Sequence, residues 1–523
     1  MTRDFTAHLR EIAAALSPAG SHVTLAGLRG SAPAYLLSRL RVETEGPFLV
    51  VTADSESADE ICRELRFYAG EKEPVLYFPP WDTTPFEQAS PHPDVTGQRL
   101  NTLARLMEGS ARVVVAPLAA VIQRVLPRRA LGQVSQYLVT GEEVAREELL
   151  AKLVNLGYAN VPLVEDRGTF SIRGGILDIF PPDLPQPVRI EFFGDFVDTV
   201  RTFDPVTQRS LHPLTELVLL PSREIILPEE KMPEFAARLK SRCDDLGLPA
   251  DRRRGLLEQL QNSFFPPGIE YLQPLFHPDL ETLFDYAGTG CVLALVDPVA
   301  VAATTESFAA ELAQAEQRAL ERDAVICAPA ELFLSEGALA QLIASRRRLS
   351  IPYLEITEAE VTGTTFRFTV ENNSDLKLDL SPDSEAVLKP LVARISDWLE
   401  EKARVIMACH QRGQSQRLHE LLAHYTLPLS VSERDFPTER TRRDGKVDIL
   451  VGDLSRGFRL REEGLVVIAE EEIFGRRIKR RGISETRKKQ ILTSLAELKP
   501  GDYMVHLDFG VGIYRGLQHI ALQ

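Results

Sequence analysis

Short apolar runs alternate with amphipathic stretches along the first 125 residues of the chain. The apolar runs have the length of buried strands, and the amphipathic stretches repeat their apolar positions at helical spacing. This alternation is typical of a parallel, doubly wound sheet with helices on both faces. The predicted strands are His22–Leu28, Pro47–Ala53, Pro74–Phe78 and Arg112–Ala116, and the predicted helices are Ser31–Leu40, Ser57–Tyr68, Thr96–Met107 and Leu118–Val125.

The period of the pattern changes to two after residue 156. Alternating apolar and polar positions, interrupted by Gly174-Gly175 and Gly194-Asp195, predict an antiparallel sheet inserted as a small domain of its own. Helical patterns return from about residue 229, and a strand at Cys291–Val296 with a helix at Val301–Arg322 is expected to complete the first domain. The predicted strands of the insert are Thr169–Ile172, Gly175–Phe180, Val188–Phe193, Val197–Phe203 and Leu217–Leu220.

A second α/β unit is predicted near residues 385–470, and its strands include Val447–Val451 and Leu465–Ala469. The last residues predict a β hairpin that opens a small β-barrel domain, which is expected to be incomplete because two strands are marginal alone. The fold class is therefore α/β multidomain. The predicted domains are a doubly wound domain (1–130), a β-rich insert (131–214), a part completing the first domain (215–350), an α/β domain of unknown role (351–474), a basic linker helix (475–498) and the hairpin region (499–523).

The net charge of −15, from 60 basic and 75 acidic residues, argues against an extended positively charged surface that binds nucleic acid. DNA binding would need a local basic patch. The concentrated patch is Arg476–Arg481 with Arg487–Lys489, for which a solvated linker helix is favoured over a DNA contact. Five scattered cysteines form no C-x-x-C pair, so neither zinc nor a disulfide framework is indicated. The chain has no apolar run of membrane-spanning length, and a cytoplasmic protein without a membrane partner is expected.

Gly27 and Gly30 form a glycine loop directly after the first strand, where a phosphate-binding loop lies in a P-loop domain. A working loop needs a lysine for the phosphates and a hydroxyl for magnesium. Pro33 stands at the lysine position and Ala34 at the hydroxyl position, and proline also lacks an amide proton. The sequence therefore predicts a degenerate loop, which is a structural turn and binds no nucleotide.

The segment Leu465–Gly475 is similar to a strand that ends in a helicase metal-binding box, but Ala469 replaces the aspartate that would hold magnesium. Glu470–Glu472 are therefore predicted to be a solvated strand end. His410 and His419 lie nine residues apart, which is no metal-ligand spacing on one helix face, and both are interpreted as structural. No catalytic residues and no metal site are predicted.

The inserted sheet carries an unusual polar face. Strand alternation points Phe170 inward and Arg173, Arg189 and Phe193 outward. Exposed phenylalanine beside arginine is typical of protein-binding surfaces, although an edge covered by a neighbouring domain remains the alternative. Because outward side chains lie outside the core, their loss is expected to change folding stability little.

The same residues resemble a known family. Four strings are similar to the UvrA-binding domain shared by UvrB and the transcription-repair coupling factors: Arg167–Phe170, Ile172–Gly175, Leu177–Pro181 and Arg189–Asp195. Three further strings resemble the coupling factors (the Mfd family) specifically: Tyr77–Thr83, Leu498–Asp502 and Val505–Gly512. The resemblance covers the whole chain in order, and its last two strings open the RNA-polymerase-interacting domain of that family.

The resemblance implies two partners for the chain. It implies that UvrA docks on Arg167, Phe170, Arg173, Arg189 and Phe193, and that Ile520 contacts the β subunit of RNA polymerase. It also implies an ATP-driven DNA translocase that displaces stalled polymerase. That motor, with its ATP, magnesium and DNA sites, is expected beyond Gln523, so this chain is expected to need no cofactor and to bind polymerase weakly until extended. The alternatives are a UvrB-like ATP-dependent damage verifier and a DNA-binding scaffold.

Overall fold

The computed structural model describes residues 5–70, 74–226, 231–262, 264–353, 363–376, 388–432, 436–437 and 445–474, and the backbone of 503–506 and 510–513. The chain forms two compact units, Met1–Phe474 and Gly475–Gln523. Among the described helices, none combines the length and the apolar character that crossing a lipid bilayer requires.

The elements follow one another along the chain in four stretches. The first contains α1 (Phe5–Leu16), β1 (His22–Ala26), α2 (Ala32–Leu40), β2 (Phe48–Thr52), α3 (Ser55–Ala69), β3 (Val75–Tyr77), α4 (Pro93–Met107), β4 (Val113–Pro117), α5 (Leu118–Val121) and α6 (Arg128–Val134). The second contains β5 (Gln136–Val139), α7 (Arg146–Asn155), β6 (Ala159–Asn160), β7 (Thr169–Arg173), β8 (Ile176–Phe180), β9 (Val188–Phe193), β10 (Phe196–Phe203), β11 (Ser210–Leu214) and β12 (Glu216–Leu219). The third contains α8 (Met232–Asp245), α9 (Ala250–Gln261), α10 (Gln273–Phe276), α11 (Leu283–Ala287), β13 (Val292–Val296), α12 (Pro298–Glu321), α13 (Pro329–Leu332), α14 (Glu336–Ser345), β14 (Arg347–Ile351) and β15 (Thr364–Arg367). The fourth contains β16 (Val370–Glu371), α15 (Lys389–Glu400), β17 (Arg404–Cys409), α16 (Arg412–Ala423), β18 (Leu429–Ser432), β19 (Val447–Val451), β20 (Phe458–Leu460), β21 (Leu465–Ala469), α17 (Glu470–Phe474), β22 (Tyr503–His506) and β23 (Gly510–Ile513).

The first sheet has seven strands in the order β15-β1-β14-β13-β2-β4-β3, and every neighbouring pair is parallel. Its central strands are apolar because both faces are covered, as in β2, where all five residues are buried. The predicted parallel sheet is confirmed. Its edge strand β15 comes from Thr364–Arg367, which lies beyond the boundary predicted at residue 350.

The insert forms the predicted antiparallel sheet, with strands in the order β11-β10-β9-β8-β7-β6. The short pair β6·β7 is parallel, and the other pairs are antiparallel. A separate two-stranded ladder joins β12 to β5, so the insert's last strand, Glu216–Leu219, follows the boundary predicted at residue 214. Its core consists of the inward side chains of the sheet and the apolar side of α7, among them Leu149, Leu153, Leu177, Ile190 and Val200.

The second α/β region has a mixed sheet in the order β16-β20-β21-β17-β19-β18. Strands β21, β17, β19 and β18 are parallel to one another. Strand β20 is antiparallel to both of its neighbours, β21 and β16. One face of this sheet belongs to the same hydrophobic cluster as β1, α2 and α3 of the first domain. Tyr35 of α2 illustrates the joint, because its ring lies 5.5 Å from that of Phe458 and its hydroxyl donates to Glu463 at 2.6 Å. The two α/β regions therefore share one core.

A buried ion pair connects the first domain to the chain that leaves the insert. The side chains of Arg99 on α4 and Glu224 are 0% and 1% exposed, and Arg99 Nε donates to Glu224 Oε1 at 2.5 Å. Arg99 Nη2 donates to the other carboxylate oxygen at 3.1 Å, and Nη1 donates to the Pro79 carbonyl at 2.8 Å. Trp81 Nε1 donates to the same carboxylate at 3.0 Å. Each buried charge is thus paired and hydrogen-bonded, which burial of an ion requires.

Replacing Glu224 by glutamine should lower the free energy of unfolding by about 3 kcal/mol, because Arg99 is then an unpaired cation in the core. The change is measured by urea denaturation at pH 7. The matched control is Glu281→Gln, which breaks the pair Arg128–Glu281, whose side chains are 49% and 25% exposed. The control should cost less than about 1 kcal/mol. Equal losses for the two variants would contradict the prediction.

Candidate protein-docking face

Four strands of the insert position the candidate site. The register pairs Asp178 of β8 with Arg189 of β9, and Arg189 with Arg201 of β10, so these three side chains form one row on the outward face. The neighbouring row on the opposite face, Leu177, Ile190 and Val200, is buried in the insert's core. The alternation predicted from the sequence is therefore confirmed.

The buried carboxylate of Asp178 organises the arginines of this face. Asp178 is 2% exposed, and its oxygens accept hydrogen bonds from Arg189 Nε at 2.7 Å and Nη2 at 2.9 Å. Arg173 Nη2 donates to the same carboxylate at a longer distance of 3.4 Å. The hydrogen bond to Asp178 raises the pKa of Arg189, so this guanidinium stays charged. One carboxylate thus holds two arginines on the same face.

The two arginines differ in how much of each is available to a partner. The Arg189 side chain is 19% exposed, lies over the Phe203 ring at 4.8 Å and also donates to the Gln208 carbonyl at 3.3 Å. The Arg173 side chain is 56% exposed, and among the described residues its one polar contact is the long one with Asp178. Arg173 therefore keeps N–H donors in water, whereas most of those of Arg189 are engaged within the insert.

An exposed apolar group lies at one end of the face. Phe193 is 83% exposed, and its register partner Phe196 is 39% exposed. Ile176, which pairs with Arg173 on one side, is 37% exposed. Exposed apolar side chains that lie together and are bordered by charged groups are typical of interaction surfaces. The outward row, the neighbouring Arg173 and this apolar end together are called the docking face, which comprises Arg173, Ile176, Asp178, Arg189, Phe193, Phe196 and Arg201.

Two of the residues that the resemblance implied are not on the docking face. Phe170 is 2% exposed and packs in the core of the insert, as the strand alternation predicted, so its side chain is not part of the exposed surface. Arg167 pairs with Asp94 of α4 at 3.0 Å and lies over the Phe180 ring at 5.2 Å. Arg167 thus connects the insert to the first domain.

The glycine loop is enclosed by other parts of the chain. Gly27 and Gly30 have positive φ angles of 82° and 57°. A Cβ atom at Gly27 would lie 2.2 Å from the Phe368 carbonyl oxygen, and one at Gly30 would lie 2.1 Å from the Gly457 carbonyl oxygen. Pro33 and Ala34, at the start of α2, are buried. Backbone from two later segments therefore lies against this loop at both glycines.

The glutamates after β21 are not a solvated strand end, so that prediction is wrong. Glu470–Glu472 begin the short helix α17 and are half-buried. Glu472 accepts hydrogen bonds from Asn373 Nδ2 and from the Ala469 amide, both at 2.9 Å, and burial raises the pKa of its carboxyl. This glutamate caps the strand-to-helix turn, which favours a structural role.

His410, at the end of β17, lies between two carboxylates. Its Nδ1 is 2.9 Å from Asp453 and its Nε2 is 3.3 Å from Glu471, and the hydrogen bond to Asp453 raises the pKa of the imidazole. His419 lies half-buried on α16. Within the described residues, no group of histidine, cysteine and carboxylate side chains has the arrangement of a metal site.

Asp297 was not among the candidate residues, although its position directly after an apolar strand could be seen in the sequence. It follows the buried strand β13 directly, which is where a metal-binding box places its aspartate. It adopts a positive φ of 54°, and its carboxylate accepts the Ala300 amide at 3.3 Å. The observed bond makes Asp297 the N-cap of α12, which is a structural use of the residue.

In the second unit, the structure describes the backbone of two strands. Strands β22 and β23 pair as the predicted hairpin, with Tyr503 opposite Ile513 and His506 opposite Gly510. The basic stretch 475–498 and Ile520 lie outside the described residues.

Comparison with known proteins identifies two regions of the chain. Residues 137–225 match the family described as the UvrB interaction domain, and this region contains the docking face. Residues 498–523 match the family described as the CarD-like/TRCF RID domain. The chain thus combines a region similar to the UvrB interaction domain with a region similar to the CarD-like/TRCF RID domain.

The transcription-repair-coupling factor of Myxococcus xanthus is 32% identical over 512 residues, covering 95% of this chain and 43% of that protein. Those of Bacillus subtilis (strain 168) and Escherichia coli (strain K12) are 29% and 28% identical, and each alignment covers 95% of this chain and 42% of the relative. The resemblance inferred from the motifs is confirmed, because the chain is similar to transcription-repair-coupling factors over 95% of its length. It spans less than half the length of these relatives.

The pairing of Arg189 changes what its loss should do to stability. Arg189→Ala leaves the buried Asp178 carboxylate without its main partner, which should cost roughly 2 kcal/mol or more in the free energy of unfolding. Arg173→Ala removes a half-exposed contact and should cost less than about 1 kcal/mol. Urea denaturation of both variants measures the difference, and adding Asp178→Asn to Arg189→Ala should recover part of the loss. Equal stability of the two single variants would show that Asp178 does not need Arg189.

Proposed function

We propose that this chain recruits UvrA through the docking face and contributes to RNA polymerase binding through residues 498–523. The observation that carries the first part is the exposed Phe193 beside the arginine pair held by Asp178. These residues lie within the region that matches the UvrB interaction domain. They also include three of the five positions to which the family resemblance assigns UvrA binding, namely Arg173, Arg189 and Phe193.

The chemistry of the docking face suits a protein partner. Phe193 offers an apolar side chain that a partner can desolvate, and aromatic anchors dominate binding energy at such centres. The half-exposed Arg173 can add a bidentate contact with a carboxylate, because its planar group presents parallel N–H donors. Asp178 fixes both arginines before the partner arrives, which lowers the ordering cost of binding.

The polymerase part of the proposal rests on the match of residues 498–523 to the CarD-like/TRCF RID domain. The resemblance assigns the contact with the polymerase β subunit to Ile520. For whole members of the family it implies an ATP-driven translocase on DNA that displaces stalled polymerase. We assign no part of that motor to the described residues of this chain.

We further propose that the described part of the chain acts without nucleotide or metal and is not itself an enzyme. The loop at Gly27–Ala34 lacks the lysine and the hydroxyl of a working P-loop, and carbonyl groups of Phe368 and Gly457 lie against its two glycines. The same features weigh against the alternative, a UvrB-like ATP-dependent damage verifier, which would need this loop open.

Phe193→Ala and Arg173→Ala should each weaken binding of UvrA about thirtyfold, corresponding to about 2 kcal/mol for a hot-spot side chain. Calorimetric titration of the full chain with UvrA measures the affinity, and the melting temperature of each variant should stay near that of the wild type. The matched control is Phe264→Ala, which removes an aromatic side chain that is 55% exposed and lies outside the matched region. The docking proposal fails if UvrA affinity survives both changes, or if it falls only together with the melting temperature.

Titration with ATP and magnesium should give no saturable binding at micromolar concentration and no phosphate release, because the loop has neither the charge nor the space for the phosphates. Fluorescence titration with a labelled ATP analogue and a phosphate-release assay measure the two quantities. Micromolar binding that disappears when residues of the loop Gly27–Ala34 are substituted would favour the damage-verifier alternative instead.

A further inference from the structure

A cavity of about 460 Å³ opens in the first domain among α8, α10 with the segment that follows it, α13 and residue 124. None of its lining residues belongs to the docking face or to the glycine loop. The volume falls within the range of roughly 300–1,000 Å³ that is typical of small-molecule sites. Three arginines line it, namely Arg124, Arg238 and Arg242.

Two of these arginines are held in place by polar contacts with the rest of the protein. Arg238 Nε donates to the Leu275 carbonyl at 2.7 Å, and its Nη1 lies 3.5 Å from Glu234. Arg242 Nη2 pairs with Glu331. Their side chains are 30% and 21% exposed. Both belong to α8 and lie one turn apart, where like charges repel each other. The contacts leave further N–H groups of both guanidinium groups for a ligand, in side chains whose positions are already set.

Arg124 reaches the cavity from a different part of the chain. Its backbone amide bonds to the Leu332 carbonyl at 2.7 Å, and the residue is half-buried. In the part of the chain that the structure describes, no carboxylate forms an ion pair with its guanidinium. Withdrawing a cation from water without a counter-charge is unfavourable. Arg124 therefore lacks the compensation that Glu331 gives to Arg242.

The charge balance of the cavity favours an anion. The lining holds three arginines and two carboxylates, of which Glu331 is already paired with Arg242 and also accepts the Ala328 amide at 2.6 Å. The other carboxylate, Asp245, is exposed. Glu234, which does not line the cavity, pairs with Arg238 at 3.5 Å. Among the described residues, Arg124 is therefore the lining arginine that has no paired carboxylate.

We propose that this cavity binds a small phosphate-bearing molecule, whose oxygens are held by the guanidinium groups of Arg124, Arg238 and Arg242. The planar fork of arginine matches the oxygens of a phosphate group bidentately. Two of the arginines come from α8 and the third from the segment after α5, so two separate parts of the chain supply cations to the same cavity. Pro274, Leu275 and Leu280 form an apolar part of the lining, which suits a less polar remainder of the ligand. The proposal is independent of UvrA and polymerase binding.

Calorimetric titration of the full chain with inorganic pyrophosphate tests the proposal, with sodium chloride adjusted to hold the ionic strength constant. We expect saturable binding at one site. Arg124→Gln should weaken it roughly tenfold or more, since a charge-assisted contact is lost. Arg124→Lys keeps the charge and should lose less affinity than Arg124→Gln. The matched control is Arg252→Gln, which removes an exposed arginine of α9 that does not line the cavity and should leave the affinity unchanged.

Several results of these titrations would contradict the proposal. Absence of saturable binding by the wild type, or equal affinity of wild type and Arg124→Gln, would overturn the site. An equal loss in Arg124→Gln and Arg252→Gln would overturn it too, because the effect would then be one of overall charge. Citrate, a polycarboxylate of similar size, is the second probe, and citrate binding as tightly as pyrophosphate would overturn the assignment to phosphate. UvrA affinity should be the same for all variants, so this proposal and the docking proposal fail independently.

Discussion

The buried pair of Arg99 and Glu224 is the constraint on which the arrangement of the first domain and its insert depends. Neither charge has contact with water, so each is stable there only while the other is in place. Arg99 belongs to α4 of the first domain, whereas Glu224 follows the last strand of the insert. The pair therefore fixes the point at which the chain returns from the insert, and it does so in one position because the hydrogen bonds of both groups are directional.

Helix α4 also holds the insert by two further contacts. Gly97 lets the Pro182 carbonyl approach so closely that a Cβ atom would lie 2.3 Å from its oxygen. One turn earlier, Asp94 pairs with Arg167 at 3.0 Å. The docking face is thus carried by a sheet whose base is attached to the first domain at several points of a single helix. A partner that binds this face consequently engages a surface whose position relative to the first domain is set.

The sequence predicted the elements and the outward direction of Arg173, Arg189 and Phe193, because alternation within a strand is a local property. The parallel order of the first sheet likewise follows from alternating strands and helices. What local pattern could not predict was pairing between distant segments. The burial of Asp178 on an outward position arises only when arginines of two neighbouring strands close over it. The partner of Arg167 lies on a helix of the first domain, and local pattern could not predict this pairing either.

The two glycines of the loop after β1 act as contact points between backbone segments that are far apart in the sequence. Their missing side chains allow the Phe368 and Gly457 carbonyls to approach this closely. Any side chain at position 27 or 30 would have to displace one of these carbonyls. A substitution at either glycine would therefore disturb not only the loop but also the later segment that packs against it.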